Sequence, residues 1–142
     1  MKNKSVRLFM DQISFFKKLV ISNFILFFVS SIVSIFFESE HITKINDKLI
    51  DFESLPSETL ILFITILTVA LILHILSFYF LYNFKKIGKS FYTISLLMML
   101  IFDSIYPSAA DRLVTFLYSC SLICSGGILV LMYFTNISTK FK

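Results

Sequence analysis

Few side chains in this sequence combine reactive chemistry with an unusual setting. His74 is a lone imidazole in the run ALILHILSFYF (residues 70–80). Asp103 is the single charge in SFYTISLLMMLIFDSIY (residues 90–106). Cys120 and Cys124 stand four apart in SCSLICSGG (residues 119–127). A carboxylate at the centre of a bilayer costs roughly 2.5–3.5 kcal/mol on insertion scales, so ionisable groups in such runs are functional suspects by default. At a helical rise of 1.5 Å per residue, His74 lies about 16 Å from Lys85 and Asp103 about 21 Å from Lys89, levels within ~5 Å of each other. One reading is a proton-relay or ion site built on Asp103 and His74. The other is a neutral His74 that hydrogen-bonds across helices, with Asp103, about one turn from Pro107, bonding Ser104, Tyr106 or loop backbone.

The sulfur atoms offer less. Cys120, Met98 and Met99 fall near the depth of His74, which raises a soft-metal site such as Cu(I). One His and two Cys at i, i+4 match no standard zinc spacing, and no full ligand set accompanies them. No metal or cofactor is expected. A disulfide between i and i+4 on one helix is geometrically poor. A catalytic thiol needs an electropositive, partly exposed setting that this run lacks. Read as packing, the same stretch is coherent: Cys120, Ser121, Cys124, Ser125, Gly126 and Gly127 form a small-residue face suited to close helix approach, either within the chain or between subunits. Ser22, Asn23, Ser30, Ser31 and Ser34 offer similar packing and hydrogen bonds in an earlier run.

The elements that carry these residues follow from composition. Of 142 residues, 57% are hydrophobic and 15% charged, with 18 Phe, no Trp and three Gly, and the mean hydropathy is +0.86. A water-soluble domain is about 25% charged, and one this short could not bury so much apolar surface. Charges divide the chain into four apolar stretches, 19–37, 59–82, 90–106 and 113–135. Each is near the ~20 residues that an α-helix needs to cross a ~30 Å hydrocarbon core. Backbone polar groups there must be satisfied within the segment, so each stretch is expected to be helical. The expected fold is all-α: an integral membrane four-helix bundle in one domain, with an outer loop at 38–58, an inner turn at 83–89, an outer turn at 107–112 and a tail at 136–142.

Orientation follows from the basic residues. Lys2, Lys4, Arg7, Lys17 and Lys18 precede the first stretch, Lys85, Lys86 and Lys89 fill the inner turn, and Lys140 and Lys142 close the chain. Most acids lie in the other two connections. The positive-inside rule then places both termini and the lysine turn in the cytoplasm. The net charge of +4 serves this orientation, and nucleic acid is not an expected partner. The first stretch is long for a secretory h-region and no A-x-A-like site follows, so a retained anchor is expected.

Smaller patterns fill the gaps. Ile42, Ile45, Leu49 and Phe52 suit a short amphipathic helix on the outer surface, and Val6, Phe9, Ile13 and Phe16 show the same spacing within an amphipathic N-terminal segment, residues 1–18. Leu55-Pro56-Ser57-Glu58 reads as a helix start, and Ser108 to Asp111 as a capping box. Tyr79, Tyr82, Tyr92 and Tyr133 fall where an inner aromatic belt would lie, and Tyr106 where an outer one would. Asn136-Ile137-Ser138 matches a glycosylation sequon on the expected cytoplasmic side, where that modification does not occur.

The chain lacks the intramembrane acid in span one of small multidrug exporters, the exposed C-x-x-C pairs of quinone-linked disulfide oxidoreductases and the paired histidines of four-helix haem cytochromes. NFKKIGKSFY (83–92) and GGILVLMYFTNISTKF (126–141) resemble segments of small, uncharacterised four-helix bacterial inner-membrane proteins. That resemblance implies topology and location and carries no activity. With no nucleophile, metal or nucleotide motif, an enzyme is not expected. The expected role is a non-catalytic accessory or interaction subunit that packs through its fourth span, against a second copy or another membrane protein. The alternative is a small proton-coupled transporter or ion pathway using Asp103 and His74.

Overall fold

Long apolar runs with little Gly or Pro leave the backbone no cheaper way to satisfy its N–H and C=O groups than helix. The computed structural model describes residues 2–37, 42, 44–45, 56–105 and 110–142. Among these it is helical: α1 Lys2–Phe37, α2 Ser57–Tyr82, α3 Lys86–Ile105, α4 Arg112–Phe134 and a closing 3-10 turn, Asn136–Lys140. All four α-helices are long and apolar enough to cross a membrane. Of the expected outer-loop helix, Ile42 and Ile45 are described and helical, while Leu49 and Phe52 lie outside the described residues, as do Tyr106, Pro107, Ser108 and the side chains of Val6 and Phe9.

The observed ends refine the expected ones. One helix runs through the N-terminal segment and the first apolar stretch: α1 has 36 residues, about 54 Å, well beyond the thickness of a hydrocarbon core. Its most apolar part is Met10–Phe36. Pro56 occupies the N-cap of α2, with Glu58 in the first turn, where an acid complements the helix dipole. At α4 the N-cap is Asp111, one position before the first helical residue; the expected capping box begins at Ser108, outside the described residues. Residues 136–142 pack against the helices. Ile137 is fully buried and Phe141 nearly so.

α3 packs along α2, α4 packs along α1, and α1 also meets α2. The inward positions recur at alternating intervals of four and three. On α1 they are Phe16, Val20, Asn23 and Ser30; on α2 Ala70, His74, Ser77, Phe78 and Leu81; on α4 Ser125, Ile128 and Met132. This spacing is that of helices crossing at shallow angles with interdigitating side chains. Much of what is buried is polar or small, whereas Ile123 and Phe134 on α4 are 76% and 85% exposed. The fold thus buries Phe16, Leu81, Ile128 and Met132 but leaves many more large apolar side chains on its outside.

The α2–α3 turn is tight and unusual. Lys85 N–H donates to Phe80 O at 2.8 Å and Phe84 N–H to Leu81 O at 3.0 Å, the paired bonds of a Schellman C-cap. The left-handed residue of that motif is usually Gly; here it is Phe84, at φ 54°. Its ring packs on Phe16 and Phe141, with centroids 5.5 and 5.3 Å away. Lys86 N–H donates to Lys142 O and Lys142 N–H to Phe84 O, at 2.8 and 3.0 Å. The turn, the Phe16 level of α1 and the C-terminal residues therefore meet at one end of the bundle.

Candidate functional site

The inward polar residues join into a seam that touches all four helices. On α1, Asn23 is fully buried. Its Nδ2 donates to the Tyr92 hydroxyl at 2.7 Å and to Ser125 Oγ at 3.0 Å, while its Oδ1 accepts from Ser121 Oγ at 2.8 Å. Both amide protons and the carbonyl oxygen of Asn23 are thereby used. Tyr92 is fully buried on α3, and its ring stacks on that of His74 from α2 at 5.6 Å and 17°.

His74 is 3% exposed. Phe27 and Phe78 each lie 4.9 Å from its ring, centroid to centroid. Its Nδ1 is 2.9 Å from Ser95 Oγ. The Ser95 hydroxyl has one proton, and that proton goes to Tyr92 O at 3.0 Å. With that proton on Tyr92 O, Ser95 Oγ accepts from a His74 protonated on Nδ1; in the other tautomer Ser95 donates to Nδ1 instead. Ser77 Oγ, also fully buried, donates to the His74 carbonyl at 2.6 Å. Among the described residues no buried side-chain nitrogen or oxygen is left without a partner.

Asp103 belongs elsewhere. It is exposed, near the far end of α3, and accepts a hydrogen bond from the Tyr118 hydroxyl of α4. His74 and Asp103 thus have separate partners on separate surfaces, one inside the bundle and one outside it. Cys120 and Cys124 are free thiols, both half-buried. Among the described residues no group of three or more His, Cys, Asp or Glu could hold a metal ion.

The small-residue stretch of α4 divides by direction. Ser121 and Ser125 face Asn23 of α1, and a Cβ on Gly127 would come within 3.1 Å of Leu19 Cδ2, also on α1. Gly126 points away from the bundle, with nothing within 4 Å of where its Cβ would stand. The closest backbone approach involves another glycine. A Cβ on Gly88 would lie 2.8 Å from Phe80 Cβ and 2.9 Å from Leu81 N, so α3 starts hard against the end of α2.

Of the residues expected to carry chemistry, His74 enters the seam, and Asp103 and the two cysteines do not. Tyr92, expected among interfacial tyrosines, is its fully buried centre, whereas Tyr79, Tyr82 and Tyr133 are exposed. Asn23, expected as one of several packing residues, is its hub. Chemically the seam is a closed set of neutral hydrogen bonds and ring contacts. It specifies which helix faces which and at what height, and among the described residues its buried polar atoms are all partnered. The chain matches no protein-family model, no curated protein and no solved structure.

Proposed function

We propose that this protein is a non-catalytic accessory or interaction subunit of a cell membrane, anchored by four spans and docking through the outward face of α4. The observation that carries this reading is Gly126. It lies open on a face with the exposed Ile123, Val130 and Phe134, and a glycine among large side chains lets a second helix approach closely. The buried polar groups support the same reading, because they bond one another and offer nothing to a reactant. The inside-out distribution of polar and apolar side chains fits a lipid solvent. The meeting of the lysine turn, the Phe16 level of α1 and the C-terminal residues at one end fits cytoplasmic termini, as the positive-inside rule requires, in a bacterial inner membrane. The proton-coupled alternative gains no support from an Asp103 that faces outward and a His74 enclosed by aromatic rings.

The test is association of labelled copies, and of co-purifying membrane proteins, in bilayers. Gly126→Leu is expected to weaken association severalfold, while Gly127→Ala, which probes the contact with α1, leaves it unchanged. Association unaffected by Gly126→Leu removes this face. Proton flux through reconstituted protein that is lost in Asp103→Asn and His74→Ala would instead establish the alternative.

A further inference from the structure

An apolar groove of about 320 Å³ runs between α1 and α2. Ile21 and Phe24 line one side of it, and Ile75, Tyr79 and Tyr82 the other. Ile21 and Phe24 are four and seven residues beyond Lys17 on α1, so Lys17 stands on the same stripe, about one turn past the groove. On antiparallel α2 the matching series is Tyr82, Tyr79 and Ile75. The groove is therefore about 10 Å long, and its end is marked by Lys17 on one wall and Tyr82 on the other. The two residues touch: Lys17 Nζ lies 4.5 Å from the centroid of the Tyr82 ring and 5.6 Å from that of Phe84. Among the described residues the ammonium has these aromatic faces, and no carboxylate, as partners. Lys18 and Lys85 add positive charge at the same end.

A cation held on aromatic rings above an open apolar cleft, with no carboxylate partner among the described residues, has the two chemical halves of an amphiphile's complement. We propose that this groove binds an anionic glycerophospholipid, one acyl chain lying along Ile21, Phe24 and Ile75 and the headgroup phosphate pairing with Lys17. Basic pockets between spans on the cytoplasmic side recognise anionic headgroups by this combination. The charge at the groove end selects an anionic lipid over a zwitterionic one, and the apolar walls select a lipid over free phosphate. The proposal rests on the membrane-embedded part of the reading above and is independent of the α4 face.

The experiment is native mass spectrometry of the intact chain released from nanodiscs of phosphatidylcholine containing phosphatidylglycerol, with retained lipids identified by mass. Phosphatidylglycerol is expected to be retained preferentially. Lys17→Gln is expected to reduce its retention about fivefold without changing that of phosphatidylcholine, while Lys17→Arg preserves it. Ile75→Trp, which fills the groove and leaves the charge, is expected to reduce retention of both lipids. Added inorganic phosphate should not compete. Equal retention of the two lipids, or preferential retention unchanged by Lys17→Gln, overturns the lipid site and leaves the α4 interface standing. Association lost in Gly126→Leu with lipid retention intact separates the two in the other direction.

Discussion

Asn23 on α1 donates a 2.7 Å hydrogen bond to the hydroxyl of Tyr92 on α3, across 69 positions of sequence. With Ser121 and Ser125 on the other side of the same amide, this single side chain holds three helices at one height. In the lipid setting we propose, where acyl tails are as apolar as the helices, burial gives little preference for one packing over another. Polar contacts then choose the arrangement.

Removing the hub should therefore cost more than removing any one spoke. An interhelical hydrogen bond in a membrane protein contributes about 0.6 kcal/mol on average and at most ~1.7. Asn23→Ala, which breaks three, is expected to lower stability by about 2 kcal/mol, and Tyr92→Phe by about 1 kcal/mol or less. The double variant should lose less than the sum, because the two share a bond. Reversible unfolding in mixed micelles measures this. Strictly additive losses would mean that the bond does not couple α1 to α3.

At His74 the ring contacts and the hydrogen bond can be separated. His74→Phe keeps an aromatic ring against Phe27, Phe78 and Tyr92 and loses only the bond to Ser95, so a loss of about 1 kcal/mol or less is expected. His74→Ala also removes the ring and leaves a void, which costs about 3 kcal/mol or more for an aromatic of this burial. Two equally damaging variants would show that the hydrogen bond, rather than the packing, is what the site needs.

The four long apolar helices were legible because charge and apolarity divide this chain sharply: Lys18, Glu58, Lys85 and Arg112 bracket runs that have few other stable choices than helix. The inward faces were also written in the sequence, as polar and small residues at intervals of three and four inside those runs. Asn23 and Ser30 mark α1, His74 and Ser77 mark α2, and Ser121 and Ser125 mark α4. Which marks meet was not written there. The joining of Tyr92 to Asn23 depends on the rotation and height of two helices distant in sequence, and a tyrosine near a span end reads equally as an interfacial anchor. Asp103 and His74 shared an estimated depth, but depth leaves the facing direction undetermined, and the helices turned them to different surfaces. The packing of the C-terminal residues was not legible for a simpler reason. Ile137 and Phe141 follow the last span in a short polar segment, and nothing local shows that Thr135, whose hydroxyl accepts from Ile137 N–H at 3.2 Å, folds them back under the bundle.

Gly88 offers a sharper test of packing than the glycines of α4. Any Cβ there meets backbone as well as side chain, at 2.9 and 2.8 Å, and the backbone cannot rotate away. Gly88→Ala is expected to lose about 1–3 kcal/mol through overpacking, against the usual gain of up to ~1 kcal/mol for Ala over Gly inside a helix. Gly126→Ala, with open space around it, should show that ordinary gain. Thermal unfolding in detergent distinguishes the two, and equal behaviour would contradict the close α2–α3 approach.

At Phe84 two effects oppose each other. The left-handed backbone at φ 54° costs a non-glycine residue roughly 1–2 kcal/mol, while the ring secures Phe16 and Phe141, each aromatic pair contributing about 0.5–1.5 kcal/mol beyond its buried area. Phe84→Ala loses the ring and keeps the backbone penalty. Phe84→Gly loses the ring and is relieved of that penalty, so the glycine variant is expected to be more stable than the alanine variant by about 1 kcal/mol, the reverse of their order within a helix. Both should fall below the parent, because contacts to two rings and their burial together outweigh the relief. Amide exchange at Lys86 and Lys142, whose bonds tie the C-terminal residues to this turn, should accelerate in both variants and more in Phe84→Ala. If the glycine variant matches or exceeds the parent, the aromatic cluster is not what holds this end closed, and the backbone bonds between Phe84, Lys86 and Lys142 must hold it without the rings.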